Sequence, residues 1–182
     1  MNERKDFKKG ILTSAKEIAR IAVFVALAIA AQYLLSAVPS VEVITLLFSA
    51  FAFVYGAARG AIAGVAFSLL RQFLFGFFPT VLVLYLVYYP LLSLCFGLLG
   101  RWTKKTDWKT ALIASALACV CTVAFTMIDN LITPLFSGYS ERAWGLYFAA
   151  SLPFMGRQLI CVAISVGGLF FPLTKAFFLL KK

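Results

Sequence analysis

The sequence predicts an all-α membrane protein with six transmembrane helices and both termini in the cytoplasm, and three observations predict it. Of the 182 residues, 63% are hydrophobic and only 13% are charged, whereas a soluble domain is about half apolar and a quarter charged. The apolar residues fall into six runs that reach or approach the roughly 20 helical residues needed to cross a hydrocarbon core of about 30 Å. With the N-terminus placed inside, fourteen of the seventeen Lys and Arg fall on the inner side. Only Arg71, Arg142 and Arg157 fall outside. That bias is the positive-inside pattern, and an even number of crossings keeps both termini on the basic side. One integral membrane domain is expected over residues 1–182.

The elements follow in order. Residues 1–18 form a basic, polar cytoplasmic segment. The apolar run after it is too long for a signal-peptide core and reads as a retained first helix, about 19–37, ending at Val38-Pro39-Ser40. A second helix spans about 42–57 and a third about 61–77, with Ala58-Arg59-Gly60 as a tight turn between them. A fourth spans about 80–99 and precedes a basic loop, Gly100 to Lys109. The fifth spans about 110–134 and leads into a polar turn over 137–142. An amphipathic stretch from Trp144 to Ser151 is expected at the interface, before a sixth helix over about 152–175.

The formal charge of +10 would suit nucleic acid, since basic chains attract phosphate. The clustering of the charges between apolar runs rejects that reading. Cys95, Cys119, Cys121 and Cys161 all lie inside apolar runs and read as small packing side chains rather than a disulfide framework.

Topology leaves four charges unexplained: Glu42, Arg71, Asp129 and Arg157. Ionisable groups inside a span cost several kcal/mol unless they are paired or face a wet cavity. All four fall in the outer half, their signs balance, and three sit beside an amide: Gln72, Asn130 and Gln158. On the fifth helix Thr122, Thr126, Asp129 or Asn130, and Thr133 share one face. Tyr85, Tyr88 and Tyr89 lie in the outer half of the fourth, and Tyr33, Trp144 and Tyr147 lie near the outer interface. Pairs such as Arg71 with Asp129, or Arg157 with Glu42, would serve equally as structural ion pairs. Taken together, the set reads as a pocket for a small polar organic ligand, a nitrogen heterocycle held among charges, amides and aromatic walls. Ala22, Ala26 and Ala30 form a small-residue stripe on the first helix. Such a stripe suits close helix packing, within the bundle or with another chain.

The chain has no His and no G-x-x-x-x-G-K-[ST] phosphate loop. Triads, His-based zinc sites and self-contained ATP hydrolysis by a phosphate loop therefore drop out. No catalytic residue, cofactor or metal is expected. An enzyme is the poorest reading, and uphill transport would draw on another chain or an ion gradient.

Three blocks then carry a family resemblance. They are the first-helix segment Ala19-Arg20-Ile21-Ala22-Val23-Phe24-Val25-Ala26-Leu27, the pair Pro39-Ser40-Val41-Glu42-Val43-Ile44-Thr45-Leu46 and Val54-Tyr55-Gly56-Ala57-Ala58-Arg59-Gly60-Ala61, and Tyr89-Pro90 through Gly100-Arg101. The chain resembles the substrate-binding (S) component of an energy-coupling factor (ECF) vitamin transporter over nearly its whole length. Ser40 stands where the family pattern has Asn. The resemblance implies a multi-pass protein of a prokaryotic cell membrane that binds a vitamin or vitamin precursor from outside. Cobalamin or a queuosine precursor is among the ligands it admits. It implies as partners a transmembrane coupling protein and two cytoplasmic ATPases of an ABC transporter assembly. Carried onto this chain, Ala22, Ala26 and Ala30 become the coupling face. Tyr85, Tyr89, Asp129, Asn130, Arg157 and Gln158 become pocket residues, with Glu42, Arg71, Gln72 and Trp144 beside them. The alternatives are a stand-alone gradient-driven carrier and a membrane scaffold that binds nothing.

Overall fold

The computed structural model describes residues 14–35, 43–103 and 106–181. Glu42 lies outside the described residues. Among them there are six helices and no strand: α1 (Ala15–Leu35), α2 (Val43–Tyr55), α3 (Ala57–Phe75), α4 (Pro79–Thr103), α5 (Trp108–Ser137) and α6 (Glu141–Lys181). All but α2 are long and apolar enough to cross a membrane, which marks a multi-pass membrane protein.

The short helix organises the rest. Every residue of α2 from Ile44 to Tyr55 is buried, and α2 packs against all five other helices. Its thirteen residues rise only about 20 Å, less than a hydrocarbon core. A helix apolar on all sides belongs in the interior. Around it α3 packs on α4, α4 on α5, and α5 on α6. The first helix, α1, is peripheral. It packs on α2 and α3 and meets α6 through the edge-on Phe24–Phe177 ring contact at 6.4 Å.

Contacts fix which helix ends lie together. At one end Glu17 of α1 accepts from Arg20 (2.7 Å) and from Arg59 of α3. Tyr55 of α2 lies under the Arg20 guanidinium at 5.0 Å and donates to the Phe177 carbonyl of α6 at 3.2 Å. The Lys181 ammonium donates to the Val54 carbonyl at 2.8 Å. The start of α1 and the finish of α6 therefore share one end of the bundle, termed here the basic end. Successive helices run up and down from it.

Helix ends differ from the sequence expectation where glycine chemistry decides. The break between α2 and α3 falls at Gly56, with φ 96°, and not at Ala58-Arg59-Gly60. That backbone conformation excludes side chains, while Gly60 lies inside α3 and meets α4. A Cβ on Gly60 would lie 2.8 Å from Ser93 Cβ, and one on Gly64 2.8 Å from Tyr89 Cβ. Gly76, with φ 92°, ends α3 two residues before the expected 77. Gly97 and Gly100 let α4 run against the backbones of Ala57 and Phe53. The helix therefore continues through Gly100 and Arg101 to Thr103, where a loop was expected.

The largest correction concerns α6. The stretch from Trp144 to Ser151 is not a separate interfacial segment, because 41 residues form one helix with Pro153 and Pro172 inside it. At 1.5 Å per residue it spans roughly 60 Å. Its first half continues because α5 offers partners along the way: Tyr147 to Asp129, Trp144 to the Asn130 carbonyl, and Asn130 to Ser151. Gly138, left-handed at φ 62°, closes α5 through its own N–H and that of Tyr139, a common helix-terminating geometry.

Candidate functional site

The end opposite the basic one gathers several of the residues singled out in the sequence, in two groups. The first surrounds Arg71, half-buried on α3 about 18 Å along the axis from Arg59. Its Nε donates to Gln32 Oε1 of α1 at 3.1 Å. The guanidinium carbon lies 4.9 Å from the ring centres of both Phe75 and Tyr85. Cations favour such ring faces, so two rings and one amide orient the fork. The Nη1 nitrogen is buried and has no hydrogen-bond partner among the described residues.

Below this group lies an aromatic floor. Tyr85 stacks on Phe67 and meets Tyr89 edge-on at 5.1 Å. Tyr89, buried, packs on Phe48 of α2, and Tyr85 reaches Phe125 of α5. Gln72, beside Arg71 in sequence, performs a different task. Its Oε1 accepts from the Phe78 N–H at 3.1 Å and holds the turn into α4.

The second group joins α5 to α6. Asp129 accepts from Thr133 at 2.7 Å and from Tyr147 at 2.8 Å. Asn130, buried, donates to Ser151, while the Trp144 indole N–H donates to the Asn130 carbonyl. The Asn130 side-chain oxygen is buried without a partner among the described residues. Thr122 and Thr126 share the buried face with Asn130, yet each hydroxyl bonds to the carbonyl four residues earlier on α5. That polar stripe is satisfied by its own helix.

The structure does not bring all candidates to one point. Arg157 is exposed, with its guanidinium 4.4 Å over the Phe154 ring of its own helix. Gln158 is partly buried beside it. Among the described residues no ion pair joins Arg71 or Arg157 to Asp129. Sequence reasoning passed over Gln32, Phe75 and Phe125. The signal for Gln32 was present, since it is the lone amide in α1.

Ala22, Ala26 and Ala30 are exposed and line an open groove of about 880 Å³ between α1 and α3. Ile62, Ala66 and Leu70 form the facing wall on α3. The stripe is therefore not consumed by packing within the bundle. No protein-family model, curated protein or solved structure matches this chain.

Proposed function

We propose that this chain is the substrate-binding subunit of an ATP-driven ECF-type importer for a water-soluble vitamin or vitamin precursor. It lies in a prokaryotic cell membrane with the basic end in the cytoplasm. The observation that carries the reading is the open groove faced by Ala22, Ala26 and Ala30 on the peripheral helix α1. A smooth apolar channel in a membrane bundle lets a second transmembrane chain approach closely, as the coupling protein of such an importer must. The charge pattern supports the orientation. The oriented Arg71 guanidinium, the Asn130 oxygen and the tyrosine-rich floor at the opposite end supply the mixture of polar points and aromatic walls that a small solute needs. ATP hydrolysis belongs to the partner ATPases.

One observation favours the scaffold reading. Asp129 already has two internal donors, Thr133 and Tyr147, which is how a structural carboxylate behaves. Native mass spectrometry of the detergent-purified chain, taken from cells grown in rich medium, separates the two. A retained small molecule, lost in Tyr89→Ala, is expected for the receptor. A bare protein mass, unshifted by a panel of vitamins and precursors, would leave the scaffold.

A further inference from the structure

The Arg71 guanidinium is built as a half-finished ion pair. One nitrogen is spent on Gln32, and the planar group is held between Phe75 and Tyr85. These neighbours are neutral. The buried Nη1 has no acceptor among the described residues. A buried donor without a partner has lost its hydration with nothing in exchange, and the loss is greater when the group is charged. Pinning a guanidinium by stacking also removes side-chain freedom in advance, so an incoming planar oxyanion meets a preformed fork.

The surroundings set the charge of that anion. Besides Arg71, the described cations at this end are Arg142 and Arg157, and both are exposed. The described acids at this end are Asp129 and Glu141, and neither forms an ion pair with Arg71. One oriented cation among rings complements one negative charge on an apolar body. A di- or triphosphate would need several cations converging on it.

Resting on the receptor reading above, we infer that the solute is a small monocarboxylate whose carboxylate docks on the guanidinium of the half-buried Arg71. Gln32 is the positioning residue for that guanidinium. The site takes its anion from solution on the side opposite the basic end, not from a lipid phosphate.

The test is equilibrium dialysis of the full chain in a phosphate-free detergent against labelled benzoate and its neutral isostere benzamide. Benzoate is expected to bind about tenfold or more tightly, the difference a charge-assisted pair makes. The preference disappears in Arg71→Gln, falls in Gln32→Ala and survives in Arg157→Gln. Arg71→Lys, which keeps the charge and loses the fork, retains a reduced preference and covers the case in which Arg71→Gln misfolds. Equal binding of acid and amide overturns the proposal. So does benzoate binding that appears only in Glu42→Gln, because the chain's own carboxylate then fills the place. Stabilisation by phosphatidylglycerol that needs Arg71, without benzoate binding, assigns the fork to lipid and also overturns it. A retained native ligand that carries no carboxylate and survives Arg71→Gln would overturn this assignment while leaving the receptor reading intact.

Discussion

Individual residues hold this bundle together by two means, absent side chains and internally paid polar groups. Gly97 and Gly100 let α4 touch the backbone at the close of α2 and the start of α3. Gly97→Ala or Gly100→Ala should cost about 1–3 kcal/mol through overpacking. That loss is readable as a lower unfolding midpoint in detergent, whereas Gly145→Ala, with open space around it, should do little. Asp129 and Tyr147 make the converse case. Tyr147→Phe removes one donor to the carboxylate and should destabilise the α5–α6 pairing by about 1–2 kcal/mol. The same assay checks it, and an Asp129→Asn, Tyr147→Phe double variant should lose less than the sum of the singles because the two groups share one bond. The sequence marked Asp129 as anomalous, correctly in that a charge within a span demands a partner. Which partner was not legible, because Tyr147 lies on a stretch that reads as interfacial rather than as part of a long helix. Arg71 was likewise legible as an anomaly, while its stacking between Phe75 and Tyr85 depends on how α3 and α4 meet.

At the scale of elements, α1 is the exception. It packs on two neighbours, presents an exposed alanine face, and is fastened at its first turn by Glu17 to Arg59 and at its last by Gln32 to Arg71. Glu17→Gln should therefore loosen the first turns of α1 without unfolding α2. Hydrogen exchange should show faster exchange confined to the residues near Ala15–Ile21, with Ile44–Tyr55 unchanged. Loss of protection throughout α2 would mean that α1 is part of the core. The short α2, buried from Ile44 to Tyr55, was only partly legible. Its apolar run announced a helix, but a thirteen-residue run leaves open whether lipid or protein surrounds it. The contacts with five neighbours answer that. The continuous α6 was missed for a related reason. The amphipathic stretch from Trp144 to Ser151 reads as interfacial, and the anchoring of Trp144, Tyr147 and Ser151 to α5 carries the helix through it.

For the whole molecule, the fold sorts its charges. Among the described residues Lys16, Arg20, Arg59, Arg101, Lys109, Lys175 and Lys181 belong to the helix ends at the basic end, and Arg71, Arg142 and Arg157 do not. With that end cytoplasmic, a cysteine at Ser137 should react with a membrane-impermeant maleimide added to intact cells, and one at Thr103 should react only after permeabilisation. The reverse pattern would invert the orientation. The resulting arrangement has a cationic, aromatic-floored site at one end and a free apolar groove along the side. A receptor that hands its cargo to a separate engine needs both a site and a coupling face. The alanine stripe was legible from its spacing, but its exposure was not, since the same spacing serves internal packing. The measurement that tests the central claim most directly is affinity purification of the tagged full chain from its native membranes, followed by assay for ATP hydrolysis. The expected result is co-purification of a transmembrane coupling protein and two phosphate-loop ATPases with vanadate-sensitive turnover, abolished by Ala26→Trp at an unchanged unfolding midpoint. A chain that elutes alone and without ATPase activity, or partners retained undiminished by Ala26→Trp, would contradict the account.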